Sequence, residues 1–206
     1  MQRIIYDTAS SLDGFIADPD HSLAWLFAVD GGTEPDESLL PADAGALVEG
    51  STTYEWILAE SDILAHPGRW REFAGDRPTF VFTTRRLPRP DGADVTFVSG
   101  AVADVLPRIR AAAGARDVWV VGGGDLAGQF LDADALDRIA VSVAPVALGA
   151  GSPLLPRRVD AGRLTLRSAR VVGAFARLVY DVESADGDAV IADAAPMEST
   201  VRATRP

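Results

Sequence analysis

The sequence predicts an α/β domain: a central, mostly parallel sheet flanked by helices and ending in an antiparallel β-hairpin. Three observations predict it. Apolar, β-branched runs alternate with helix-compatible segments as far as Leu131, the pattern of strands joined by crossover helices. Two of those runs stop at glycine and pass at once into a helix, at Gly50 and at Gly122-Gly123-Gly124. After Asp137 strands follow one another with no helix of ordinary length between them, as when antiparallel edge strands finish a parallel sheet.

Arg3 to Ala9 reads as the first strand, with Ile4, Tyr6 and Thr8 alternating against Ile5, Asp7 and Ala9. Ser10 to Ala17 has turn chemistry at Asp13-Gly14 and then returns to apolar residues, so an ordered loop is expected. Asp18 to Asp43 is rich in acids, Gly and Pro, broken by Leu23, Trp25, Leu26 and Phe27, and is partly helical at most. Ala46-Leu47-Val48, within Ala44 to Glu49, forms the second strand. It ends at Gly50, and Ser51 or Thr52 suits the cap of the helix that follows. Thr79 to Thr84 and Val95 to Val98 are the third and fourth strands. Ala101 to Ala113 is a helix with Val102, Val105, Leu106 and Ile109 on one face. Val118 to Val121 is the fifth strand, and its helix runs from about Leu126 to Leu131. Arg138 to Val143, Leu164 to Val172 and Ala176 to Val182 are the closing strands. Residues 1–183 are expected to form one domain, and 184–206, small and polar without sustained periodicity, a surface tail.

The chain has 206 residues, 48% of them apolar, enough for a sizeable single core. Its formal net charge is −11, from 19 basic and 30 acidic residues. That balance argues against nucleic acid or an anionic membrane as the main partner, but leaves a small anionic ligand in a local site open. There is no cysteine, which excludes disulfides, thiolate catalysis and cysteine zinc sites. With only His21 and His66 present, no histidine-rich metal site is expected. Charge occurs too early for a signal peptide and no apolar run reaches bilayer length, so a cytoplasmic protein is expected.

The run Val118-Trp119-Val120-Val121 stops at three glycines, and a helix follows. Without a Cβ the glycine backbone can approach another group closely, with its N–H groups facing an anion. The helix start adds unsatisfied N–H groups and a positive dipole end. Such a junction is either a phosphate or pyrophosphate site or a tight turn with no ligand.

Four motifs in order decide how to read it. They are Ser11-Leu12-Asp13-Gly14, Gly50-Ser51-Thr52-Thr53-Tyr54-Glu55, Thr83-Thr84-Arg85 and Val121-Gly122-Gly123-Gly124. With Pro145 to Leu155 before the last strands, they make the chain resemble the RibD C-terminal domain family, which shares the dihydrofolate reductase fold. The resemblance covers roughly Met1 to Glu183. It implies a reduced nicotinamide dinucleotide, normally NADPH. Gly122, Gly123, Gly124 and Leu126 would wrap the pyrophosphate, with Gly50, Ser51, Thr52 and Thr53 facing it from the other helix start. Thr84 and Arg85 would border the adenosine end, and Ala9, Asp13, Gly14 and Ile16 the nicotinamide. The glycine spacing is not that of the Rossmann fingerprint. The family also commonly dimerises through its sheet edge, and alternating apolar residues of the final strands, Leu166 and Val179 among them, suit a homodimer.

The chain departs from the family at chosen points. Ser51 stands where an arginine commonly meets the 2′-phosphate of NADPH, and a hydroxyl does not replace a guanidinium. Arg85 and Arg86 remain, so NADPH preference is weakened and NADH is possible. Phe15 replaces the lysine that riboflavin-pathway reductases usually carry after Asp-Gly, and the zinc deaminase signature of the full riboflavin enzyme is absent. Phe15 suits an apolar or planar substrate, and Trp25 reads either as a ring that stacks on it or as packing. Asp36 and Glu37, with Asp30, lie roughly where dihydrofolate reductases place a catalytic acid, and read either as that acid or as solvated loop charges.

The expected function is therefore NAD(P)H-dependent hydride transfer to a small planar, possibly heterocyclic, substrate. The alternatives are a riboflavin-pathway or folate reductase, or a nucleotide-binding protein of the same fold without catalysis. Among the remaining residues, Asp13 either orients the nicotinamide or caps its turn. Tyr54 and Trp56 are expected in core packing, Gln129 at the surface, and Arg157-Arg158 as solvated charges.

Overall fold

The computed structural model describes residues 1–29, 41 and 43–184. Asp30, Asp36, Glu37 and all of the tail after Ser184 lie outside the described residues. In chain order the elements are β1 (Ile4–Ser10), β2 (Phe15–Ala17), α1 (Ala24–Phe27), β3 (Ala44–Gly50), α2 (Ser51–Glu60), α3 (Gly68–Ala74), β4 (Thr79–Phe82), β5 (Val95–Val98), α4 (Val102–Ala113), β6 (Asp117–Gly122), α5 (Gly124–Asp132), β7 (Arg138–Val143), β8 (Ser152–Pro153), β9 (Leu164–Val172) and β10 (Phe175–Val182).

Eight strands form one sheet in the order β5-β4-β3-β6-β1-β7-β10-β9. The six from β5 to β7 run parallel, and β10 and β9 close the sheet antiparallel. The α/β architecture with a closing hairpin is thus as expected. The loop expected over Ser10 to Ala17 contains a short strand, β2, paired with β8. The turn chemistry at Asp13-Gly14 is real, with Gly14 at φ +85°, but three residues suffice for β2 because β8 lies alongside. The helix α3 carries no long apolar stripe to announce it and was not expected. No helix among the described residues is long and apolar enough to cross a membrane.

Strand alternation divides the core between two faces. Tyr6, Val48, Val118 and Val120 pack with Val105 and Ile109 of α4 and Leu126 and Phe130 of α5. Leu47, Val81 and Trp119 pack on the other face, with Tyr54 and Ile57 of α2 and Trp70 of α3. Glycine permits one close approach here: a Cβ at Gly45 would sit 2.2 Å from the Ala113 carbonyl oxygen at the end of α4. Because the six parallel strands share a direction, Ser10, Gly50 and Gly122 end at one edge of the sheet, where α/β folds place their ligand crevice.

Candidate active site

The two glycine junctions meet at that edge. A Cβ at Gly50 would lie 3.6 Å from the Gly123 nitrogen and 3.7 Å from the Gly122 oxygen, and one at Gly122 would lie 3.2 Å from Thr53 Oγ1. One at Gly123 would meet Ile16 Cδ1 at 3.8 Å. The structure therefore brings Gly50, Thr53, Gly122, Gly123 and Ile16 together from four elements and loops. Gly50 and Gly123 are the N-caps of α2 and α5, and neither helix has a side-chain cap. Ser51 and Thr52, expected as caps, instead begin α2. The helix α5 starts at Gly124, two residues before the expected Leu126. The peptide between Gly122 and Gly123 is cis. Free N–H groups of two helix starts thus face one small region, which is chemistry for an anion.

Other residues expected at the site have different work. A Cβ at Gly124 would stand 2.2 Å from the Pro153 oxygen and 2.4 Å from that of Leu154. Glycine is needed there so that α5 can pack on β8. Leu126 is 5% exposed and belongs to the core, so its side chain cannot wrap a ligand. Asp13 accepts hydrogen bonds from Ser11 Oγ at 2.6 Å, from the Leu148 nitrogen at 3.0 Å and from the Gly149 nitrogen at 2.6 Å. The Ser11 hydroxyl and these two N–H groups pull its pKa down to about 2. Its carboxylate ties the first loop to the segment before β8, which supports the turn role. Ala9, at the end of β1, Gly14 and Phe15 are half-buried, and Phe15 pairs with Pro153 through its backbone.

Arg85 is not a free cation. Its guanidinium forks onto Glu55, one turn along α2 from Ser51, at 3.0 and 2.5 Å. Thr84 beside it is exposed. Arg157, expected as a solvated charge, bonds Asp132 at 2.7 Å and Asp125 at 3.0 Å, and lies across Gly128 of α5. Gln129 donates to Asp125 at 2.9 Å.

Between α1 and α2 a cleft of about 470 Å³ opens, with Leu23, Phe27, Trp56 and Glu60 in its walls. Phe27 is 63% exposed and its ring stacks on Trp56, centroids 6.3 Å apart and planes 10° from parallel. Trp25 is not among these walls. It is half-buried, and its buried Nε1 has no hydrogen-bond partner among the described residues. The aromatic wall of the cleft is therefore Phe27 with Trp56, not Trp25, while half-buried Trp56 also packs against the core as expected. Tyr54 keeps that role, fully buried, donating to the Pro88 oxygen at 2.7 Å.

Two buried polar features were missed. Asp7 and Arg177, each 5% exposed, pair at 2.7 and 2.6 Å across β7, and Arg177 also reaches Ser142 at 3.2 Å. Burial pushes the Asp7 carboxyl up, against the pull of Arg177. Glu49, the last residue before the Gly50 cap, is fully buried, and neither of its oxygens has a partner among the described residues. Burial alone pushes it up to about 8. Among the described residues no group of three or more potential ligands could hold a metal.

The profile of the RibD C-terminal domain family matches residues 64–176. The chain belongs to that family. Among curated relatives, the uncharacterized Bacillus subtilis protein YwjB is 28% identical over 179 residues, 87% of this chain and 97% of its own. Among solved structures, a proposed riboflavin biosynthesis protein from Shewanella sp. PV-4 superposes with a TM-score of 0.69 at 26% identity, over 89% of this chain and 99% of that one. Enterococcus faecalis dihydrofolate reductase, solved with NADP(H), gives a TM-score of 0.57 at 16% identity, over 88% of this chain and 97% of that one. This RibD-type domain thus has the fold of the riboflavin and folate reductases.

Proposed function

We propose that the protein is a nicotinamide dinucleotide-dependent reductase of a small planar substrate, with heterocycles as the favoured class. The observation that carries this reading is the meeting of two helix N-termini, both capped by glycine alone, at Gly50 and Gly123. Family membership and the likeness to a dihydrofolate reductase solved with NADP(H) support it. Uncapped N–H groups and small residues suit a doubly charged pyrophosphate.

The cofactor, when bound, supplies the hydride. This chain's contribution is to bind, orient and exclude water. The Gly50 and Gly123 junctions supply the N–H groups, and Ile16 packs against Gly123 as an apolar wall. The Phe27–Trp56 wall and Phe15 offer flat apolar surface for a planar ring. Titrating intrinsic tryptophan fluorescence with NADPH and NADH tests binding, and loss of reduced-nicotinamide absorbance over candidate heterocycles tests turnover. Binding without turnover of any of them would favour a nucleotide-binding protein instead. Failure of both cofactors to bind at millimolar concentration would remove the reading.

Cofactor choice follows from charge. Ser51 offers no cation, and Glu55 engages the guanidinium of Arg85, so the preference for NADPH over NADH is expected to be modest. Ser51→Arg should raise NADPH affinity by on the order of 1–2 kcal/mol, leaving NADH unchanged. An equal gain for both cofactors would show that the 2′-phosphate is not involved.

We also propose a homodimer through the closing hairpin. Strand β9 is the sheet edge, and it exposes Leu166 at 53% and Val171 at 84%. Half-buried Val179 of β10 turns out less exposed than expected. An apolar edge strand invites pairing, and a twofold dimer is the commonest closed solution. Light scattering at micromolar concentration should give twice the 21.7 kDa chain mass. A species at the chain mass itself would overturn the dimer.

A further inference from the structure

Glu49 has no place in the reductase reading, yet it lies one residue from the proposed cofactor junction. It is the last side chain of β3 before Gly50, which caps α2 and packs against Gly123. Strand alternation puts it on the Leu47 face, beneath α2. It is 0% exposed, and neither oxygen has a hydrogen-bond partner among the described residues. A buried polar group left unpaired costs stability and requires an explanation.

We infer that Glu49 makes dinucleotide binding proton-linked: the loaded site favours Glu49 as a neutral carboxylic acid, because the bound pyrophosphate opposes its ionisation. The inference rests on the cofactor reading above. Its ground is the arrangement at the junction. The N–H groups that would receive an anion belong to the residues directly after Glu49, and among the described residues no cation is hydrogen-bonded to its carboxyl. Two negative charges within about 10 Å of each other, at an effective dielectric of ~20, shift each other's ionisation by on the order of one pH unit.

The charged and titratable neighbours do not provide a counter-charge. From α2, Tyr54 faces it, and burial, with the Glu49 carboxyl adding to it, pushes the Tyr54 phenol up to about 12. Arg89 bears on Tyr54 and lies over the Phe97 ring, 5.6 Å from its centroid. Glu55 is paired with Arg85. From β4 and β6, the flanking residues Val81 and Gly122 are uncharged. On β1, the strand beyond β6, Asp7 is paired with Arg177. At the start of α5, Asp125 is paired with Arg157. Burial pushes Glu49 itself up to about 8, so its ionisation falls in an accessible range.

The direction follows from linkage. An anion that opposes ionisation raises the pKa of the acid in the complex above its value in the free protein. Affinity is then full below about pH 8 and falls as pH rises beyond it, and binding takes up a proton in that range. NADH is the suitable probe, because its pyrophosphate does not titrate there and it has no 2′-phosphate. Fluorescence titrations of the full chain at pH 6.5 to 9.5 should show affinity constant to about pH 8, then falling about tenfold by pH 9.5. Calorimetry at pH 8.5 in two buffers of different ionisation enthalpy should show net proton uptake. Glu49→Gln, which cannot ionise, should bind NADH with little pH dependence and without that uptake. A flat wild-type profile, or the same profile and proton count in Glu49→Gln, would overturn the inference while leaving the cofactor reading intact. If Glu49→Gln does not fold, the wild-type proton count alone decides. If neither NADH nor NADPH binds the wild type at any pH, the cofactor reading fails and this inference with it.

Discussion

Glu49→Leu is expected to make the protein more stable, by a margin that grows with pH. Glu49 is fully buried without a partner among the described residues, and burial raises it from its ordinary 4.5 to about 8. Between those two values the folded chain holds a proton that the unfolded chain has released. A raised acid of this kind leaves stability intact below about pH 4.5. Stability then declines as pH climbs towards 8, and the loss levels off above it. At 1.36 kcal/mol per pH unit, the accumulated cost is on the order of 4 kcal/mol by pH 9. At pH 5 the neutral acid still leaves buried polar atoms unpaired, a cost of roughly 1–3 kcal/mol. Leucine, of similar volume, removes both. Urea unfolding of the two proteins at pH 5, 7 and 9 checks this, since groups common to both cancel in the difference. A constant difference across that range would show that Glu49 does not titrate with folding. A residue this costly beneath the proposed binding site is what selection for function rather than stability would produce.

Much of the fold was legible because it is written locally. Apolar, β-branched runs such as Thr79 to Phe82 and Val118 to Val121 read as buried strands, and glycine marked the two junctions, at Gly50 and Gly123, where strands pass into helices. Gly50, Thr53, Gly123 and Ile16, proposed to hold the cofactor, lie close together at one edge of the sheet. What was not legible depends on partners distant in sequence. Asp7 and Arg177 stand 170 residues apart, and nothing near either announces the other. The need for glycine at 124 comes from the carbonyls of Pro153 and Leu154, in a segment whose strand β8 has two residues. Trp56 was expected in the core because α2 has one buried face. Its ring does pack against that core, but it also borders the cleft, because Phe27 stacks on it from α1. Glu49 did leave a signal in the sequence: an acid directly after Ala46-Leu47-Val48 and before a glycine cap. Strand ends are commonly solvated, so nothing local distinguishes it from an ordinary boundary charge.

Substitutions at the three consecutive glycines are expected to separate binding from folding. Gly123 has φ −87° and ψ −176°, extended backbone open to any residue. Its Cβ would meet Ile16 Cδ1 at 3.8 Å and Thr53 Oγ1 at 4.0 Å, ordinary contact distances. Gly123→Val should therefore fold, with a melting temperature within a few degrees of wild type. Its two methyl groups would extend into the space between Ile16, Thr53 and the Gly50 junction, where the pyrophosphate is proposed to lie. Dinucleotide affinity should fall by at least on the order of a hundredfold, since branched carbon there both fills space and shields the N–H groups. One position along, the same kind of change acts on the fold. A Cβ at Gly124 would overlap two carbonyl oxygens of the backbone, which a rigid strand–helix contact cannot relieve cheaply. Gly124→Ala should be destabilised by on the order of 1–3 kcal/mol, the range for an overpacked core. Thermal melts and NADPH titrations of the two variants together distinguish the roles. A folded Gly123→Val that binds NADPH as tightly as wild type would show that this junction is a turn between strand and helix with no ligand to hold.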